Sequence, residues 1–240
     1  MKNKIIGFML ATALLLSVTG CGKQTAPVQD VVEEAAEETT VEETAEDAAT
    51  EADSEEENEV PFTTGIVNEN IYENDYFDMK LVVPSEYLFC DEDGARELTE
   101  SIADTLKDND TIIKAIEEGD AAVVASAGKA GDFDNICVIV YSAEEIADEN
   151  FDDKAALSAC VELFKEYFEA QGAIMMDTQC SRCNAGDENR YVFELDGMIN
   201  GSEFKEEVVG FRKDDHLIAF AATCDDLAAA DDLLSGIEKN

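Results

Sequence analysis

A change of composition near residue 60 limits where this chain can build a core. Between Gln24 and Val60 there are 15 Asp or Glu, no Lys or Arg, and no aromatic side chain; the first aromatic after them is Phe62. Runs such as Val31-Val32-Glu33-Glu34-Ala35-Ala36-Glu37-Glu38 offer too little apolar surface to offset an ordering cost of about 1–2 kcal/mol per residue. Residues 21–60 therefore read as a disordered acidic tether, a self-repelling coil reaching about 30 to 35 Å. Transient helix in the Ala-Glu runs is the other reading. Folding is left to residues 61–240, long enough for one globular domain that buries roughly 70% of its unfolded surface.

Charge then removes whole classes of partner. The chain carries 57 acidic and 16 basic residues, net −41, and residues 61–240 alone hold 42 acidic and 13 basic, net −29. Nucleic-acid binding draws on clustered Lys and Arg that displace counterions, so no nucleic-acid partner is expected. Anionic headgroups repel such a body as well, so any membrane association must come from something other than a basic face.

That something is legible upstream. Lys2 and Lys4 precede an apolar run from Ile5 to Leu16, and Thr19-Gly20 supply small residues before Cys21. The pattern is that of a signal peptide over residues 1–20, too short to span a bilayer. Small residues ending at a cysteine resemble the lipobox of bacterial lipoproteins. The resemblance implies cleavage before Cys21 and a diacylglyceryl group, with palmitate-type acyl chains, on its thiol. The expected location is the extracytoplasmic face of the cell membrane, held by the lipid anchor. At about 0.8 kcal/mol per buried methylene, two or three chains hold far better than one. An ordinary secretory signal or an uncleaved anchor are the alternatives.

Within 61–240 the pattern predicts mixed elements. Ile71-Tyr72 and Met79 to Val83 read as a hairpin across Asn74-Asp75, closed by Pro84. Ala95, Leu98, Ile102 and Leu106 form a helical stripe, which Ile112, Ile113 and Ile116 extend into a second piece that Gly119 ends. Ala121–Ala127 and Ile136–Tyr141 predict a second hairpin, and Ser142 with Glu145 has capping-box spacing. Asp153 to Gln171 predicts a long helix stopped by Gly172. A period of two then runs through Tyr191, Phe193 and Leu195, Asn200-Gly201 marks a hairpin turn, and Phe204–Arg212 and Leu217–Thr223 supply strands. Thr223 and Asp226 suggest a capping box opening a last helix with Leu227, Leu234 and Ile237 on one face. The fold class expected is α+β, a mainly antiparallel sheet flanked by helices.

That order, with the segment Asn70-Ile71-Tyr72-Glu73-Asn74-Asp75-Tyr76-Phe77-Asp78-Met79-Lys80-Leu81-Val82-Val83-Pro84-Ser85-Glu86-Tyr87, resembles the PsbP-like α/β/α sandwich found in many bacterial lipoproteins. Asp78 stands where that family usually has glycine, and Tyr87 where it usually has tryptophan. The resemblance implies a fold and accessory, assembly or binding roles; it brings no shared catalytic residues.

Local chemistry is sparse. Cys90, Cys137, Cys160, Cys180, Cys183 and Cys224 admit 15 disulfide connectivities, and Cys180-Ser181-Arg182-Cys183 is the candidate disulfide or redox pair. A redox CxxC sits at a helix start, whereas this one enters β structure; a four-cysteine zinc site and buried free thiols stay open. Cys137 and Cys160 read as core residues. His216, the single histidine, reads as a solvated turn residue, with no serine elbow to complete a triad. Ser126 and Lys129 have Ser-x-x-Lys spacing without its companion motifs. Asp132-Phe133-Asp134-Asn135 lacks the glycine and terminal glutamate of an EF-hand. No cofactor or metal is expected, and whether any catalysis occurs is left open. The function expected is that of a lipid-anchored envelope protein with an accessory, assembly or binding role, its partner an envelope protein or a small solute. An envelope enzyme or thiol-redox factor using Cys180 and Cys183, or a cation- or solute-binding lipoprotein, is the alternative.

Cys21→Ser abolishes incorporation of a fatty-acid analogue in metabolically labelled cells; a wild-type chain that takes up no label refutes the lipoprotein reading.

Overall fold

The computed structural model describes residues 60–142 and 152–240. The signal peptide, Cys21, the tether up to residue 59, and Glu145 of the proposed capping box lie outside the described residues.

The described chain forms eleven strands and four helices. The strands are β1 (Ile66–Asn68), β2 (Ile71–Asn74), β3 (Met79–Val82), β4 (Tyr87–Phe89), β5 (Ala121–Lys129), β6 (Asn135–Ser142), β7 (Ile174–Ala185), β8 (Glu188–Ile199), β9 (Ser202–Lys213), β10 (His216–Cys224) and β11 (Ile237–Lys239). The helices are α1 (Glu92–Thr105), α2 (Asp110–Glu118), α3 (Asp153–Ala170) and α4 (Leu227–Leu234). Two sheets result, one ordered β1-β2-β3-β11 and the other β4-β5-β6-β10-β9-β8-β7. Every strand pairing is antiparallel, as short turns between consecutive strands require. This is the α+β class that the sequence predicts, with its sheet divided in two.

The central strands of the larger sheet are covered on both faces, while most of the edge strand β7 is exposed. On one side Ile136, Val138, Ile218, Phe220 and Phe211 pack with Tyr72, Leu81 and Ile237 of the small sheet and with Leu233 of α4. On the other, Leu195, Val208, Leu217 and Ala219 pack with Leu157 and Val161 of α3, while α1 and α2 lie over β5. The central strand β10 reads Leu217-Ile218-Ala219-Phe220-Ala221-Ala222, apolar on both faces as a doubly buried strand must be. Among the described residues no helix is long and apolar enough to cross a membrane.

Helix starts follow local chemistry. Asp91, Asn109, Asp152 and Asp226 each accept a hydrogen bond from a backbone N–H of the first turn, which satisfies donors the helix itself leaves open. Gly119 ends α2 at φ 83°, a left-handed cap that glycine adopts without cost. The start of α4 corrects the capping-box reading: Thr223 lies within β10 opposite Asn135, and Asp226 alone caps the helix. Its end differs too, because Ile237 leaves the helix and pairs with Leu81 in the small sheet.

Asn200 (φ 54°) and Gly201 (φ 88°) make the β8–β9 turn, the left-handed pair that matches strand twist. Asp78 is also left-handed, at φ 54°, which gives a physical reason for glycine to be the usual residue at the matching position of PsbP-like domains. Aspartate tolerates this region at a cost of about 1 kcal/mol. Asp78→Gly is therefore expected to raise the domain's unfolding free energy by about 0.5 to 1 kcal/mol in urea titrations; a loss of stability contradicts it.

Candidate functional site

The small size of several side chains on one sheet face creates an internal space. On β5, Ala121 and, after a bulge between Val123 and Ala125, Ser126 and Gly128 face the helices; Ala221 does so from β10. Interiors otherwise close to crystal-like density. Here the long side chains above, Leu98, Ile102 and Leu106 of α1, Ile112 and Ile116 of α2, and Phe164 and Tyr167 of α3, roof a cavity of about 230 Å³. An engineered cavity of roughly 150 Å³ holds benzene. This one is larger, and its walls are almost wholly apolar.

One group breaks that apolarity. Phe204, Glu206 and Val208 alternate onto the helix-side face of β9, and Glu206 reaches the cavity from the middle of the strand. It is 0% exposed, and neither carboxyl oxygen has a hydrogen-bond partner among the described residues. Four neighbouring polar side chains have partners. Thr99 accepts from the Val123 N–H at 3.0 Å and donates to the Ala95 carbonyl, Ser126 meets the Cys137 thiol at 3.3 Å, Asn135 donates to the Phe133 carbonyl, and Gln171 donates to Thr105. Burial drives the Glu206 carboxyl well above the usual carboxylate range, so it is neutral when unpaired.

The thiols of the cavity are chemically quiet for the same reason. Burial pushes Cys137 and Cys160 up to about 12, so almost no thiolate is available as a nucleophile. Cys90 also lines the space and is raised by burial. All six domain cysteines are free thiols.

Cys180 and Cys183 require a correction as a pair. Both lie on β7, three positions apart, so they point to opposite faces: Cys180 packs beside the α3 cluster and Cys183 beside the small-sheet cluster. Three residues of strand separate their Cα atoms by about 10 Å, beyond the roughly 7 Å that a disulfide spans. The fold does not bring them together.

The other motifs resolve as structure. His216 is not a solvated turn residue: its side chain is 15% exposed, its ring stacks on Phe62 at 4.1 Å, and Nδ1 lies 2.6 Å from Asp215. Tyr76 packs edge-on beside it and donates to Asp214 at 2.8 Å. Lys129 of the Ser-x-x-Lys spacing pairs with Asp132. Asp132, Asp134 and Asp225 place carboxylate oxygens within 4.8 Å of one another. Asp134, however, already accepts from the Tyr87 hydroxyl and the Asp225 N–H.

Sequence reasoning missed Glu206 and its neighbour Glu207. The available signal was two consecutive glutamates inside the apolar strand Phe204 to Phe211: when both faces of a sheet are covered, each must be buried. Glu207 projects to the opposite face beside Asp231 of α4 and Glu194 of β8. Burial first, then these two carboxylates, raises it to about 7.

The comparisons with known proteins concern the fold. No family model matches the chain, and no curated protein matches it. The structure is similar to the solution structure of cyanobacterial PsbP (CyanoP) from Synechocystis sp. PCC 6803, with 11% identity, a TM-score of 0.44, and coverage of 73% of this chain and 96% of that one. It is also similar to a crystal structure from Bacteroides thetaiotaomicron VPI-5482, with 7% identity, a TM-score of 0.37, and coverage of 68% of this chain and 45% of that one.

Glu207 gives a pH dependence of fixed sign. Its folded pKa lies above the unfolded value of 4.5, so the native state binds the proton more tightly. Its contribution is full below about pH 4.5 and is lost as pH rises through about 7, at up to about 1.4 kcal/mol per pH unit. Glu207→Gln should remove that slope between pH 5 and 7 in denaturant titrations. A slope identical to wild type counts against the assignment.

Proposed function

We propose that this chain is a lipid-anchored, non-enzymatic binding protein of the cell envelope, whose PsbP-like domain takes up a small apolar solute. The cavity carries the reading: a space of about 230 Å³ between helices and sheet, lined by side chains that recognise apolar surface. Catalysis is disfavoured by the same lining. Its thiols are held protonated, and His216 sits elsewhere, packed against Phe62 and Tyr76. The lipid anchor rests on Lys2, Lys4, the apolar run and Cys21, and the PsbP-like character on residues 70–87. The acidic stretch between them serves as a spacer that lifts the domain off anionic headgroups.

By proportion to benzene in a cavity of roughly 150 Å³, the space suits about eight or nine carbon atoms. Leu98 of α1 lines it and is only partly buried, so a larger ring there fills the space at modest cost to folding. The mature chain, residues 21–240, carrying Cys21→Ser and so lacking the lipid, is expected to bind 1-octanol at one saturable site by titration calorimetry. Leu98→Trp is expected to weaken that binding at least tenfold. Absence of saturable heat in the parent chain refutes the solute-binding reading.

A further inference from the structure

The cavity's walls are almost wholly apolar, and Glu206, the one carboxyl on them, indicates what kind of molecule belongs there. Thr99, Ser126, Asn135 and Gln171 already have partners within the protein, whereas both Glu206 oxygens are fully buried with none among the described residues. A buried carboxyl without partners is costly and is retained only where something else compensates. Apolar residues were available for the position, since Phe204 and Val208 occupy the same face of β9. The missing partner must bring hydrogen-bond donors to a carboxyl and an apolar body to the walls.

The sign of that partner follows from the rest of the molecule. Residues 61–240 carry a net charge of −29, and a field of one sign raises the local concentration of the opposite ion at a cleft and repels its own. A carboxylate-headed ligand would meet both that field and Glu206. A neutral alcohol would leave one Glu206 oxygen unpaired. A protonated amine supplies up to three donors and cancels the charge that Glu206 takes on when it pairs.

We infer that the cavity is a binding site for a small amphiphilic amine, its ammonium group held by Glu206 and its hydrocarbon body lying between α1, α3 and the sheet. This rests on the solute-binding reading above and adds the head group to it. The interaction is non-covalent: the bound ammonium pairs with the Glu206 carboxylate, and the proton that Glu206 held in the empty site passes to solvent. The amine's own proton stays on nitrogen.

The test compares octylamine, 1-octanol and octanoate on the mature chain, residues 21–240, carrying Cys21→Ser, by titration calorimetry in 0.5 M NaCl. At that salt the Debye length is only a few ångströms, and attraction to exposed surface acids is suppressed. Octylamine is expected to bind at one site at least tenfold more tightly than octanol, with octanoate weakest. Glu206→Gln and Glu206→Leu, each checked for folding by circular dichroism, are expected to bring octylamine down to the level of octanol. Both are expected to leave octanol within threefold of its original affinity. Leu98→Trp should weaken octylamine and octanol together. Octanol or octanoate matching octylamine in the parent chain overturns the amine assignment and leaves the cavity reading standing. Octylamine keeping its advantage in both Glu206 variants, or binding unchanged in Leu98→Trp, overturns it too. Failure of all three probes to bind removes the solute-binding reading itself, and the amine with it.

Discussion

Coverage of the central strands of the seven-stranded sheet on both faces is the constraint on which the rest of this domain depends. It makes β10 apolar on both sides, places α3 against one surface, and sets the small sheet with α4 against the other. The middle of a sheet buried this way has no solvent face on which to park a charge. Two consecutive glutamates in its interior must therefore each be accommodated, Glu206 among helix-side apolar groups and Glu207 beside Asp231 and Glu194. Both stand above the usual carboxylate range first because of the cost of keeping an ion out of water, and Glu207 also because Asp231 and Glu194 lie beside it.

Side-chain size decides where that sheet is tightly packed and where it is not. Over β9, Gly210 lets α3 approach; a Cβ there would lie 2.9 Å from the Leu157 Cδ1. Over β5 and at Ala221 the sheet is equally small, but Leu98, Ile102 and Phe164 span the gap without filling it. Close approach and open space thus arise from the same kind of residue, and the difference lies in what the opposing helix sets above it. The proposed solute site is the second outcome. Glu206, at its floor, is what makes it more than a packing defect.

Cysteine positions illustrate how far spacing can mislead without a secondary structure to apply it to. A C-x-x-C pair is close on a helix or a tight turn and far apart on a strand, because side chains alternate faces at about 3.3 Å per residue. Cys180 and Cys183 fall on β7. Cys160 belongs to the α3 core cluster, as its place in the helix stripe predicts, and it and Cys137 also line the cavity, where burial holds them protonated.

Much of the architecture was legible in the residues. The helical stripes of α1, α2 and α3, the hairpin of β5 and β6, the Asn200-Gly201 turn and the α+β class follow from periodicity and turn chemistry, which are local and act through nearest neighbours. Even the resemblance over residues 70–87 has a local basis, since Asp78 occupies the left-handed conformation that glycine prefers. Division into two sheets was not legible, because the pairing of Ile237 with Leu81 joins residues 156 positions apart and nothing in either segment names the other. Nor was the cavity, which is a difference between the volumes that distant elements bring to one place. By itself the sequence determined the helices and most of the longer strands, the acidic charge and the candidate export signal. Only the tertiary structure decided which small residues lie under which large ones, and thereby turned Glu206 from one of 57 acidic residues into a carboxyl with no partner among the described residues, set in the wall of a largely apolar cavity.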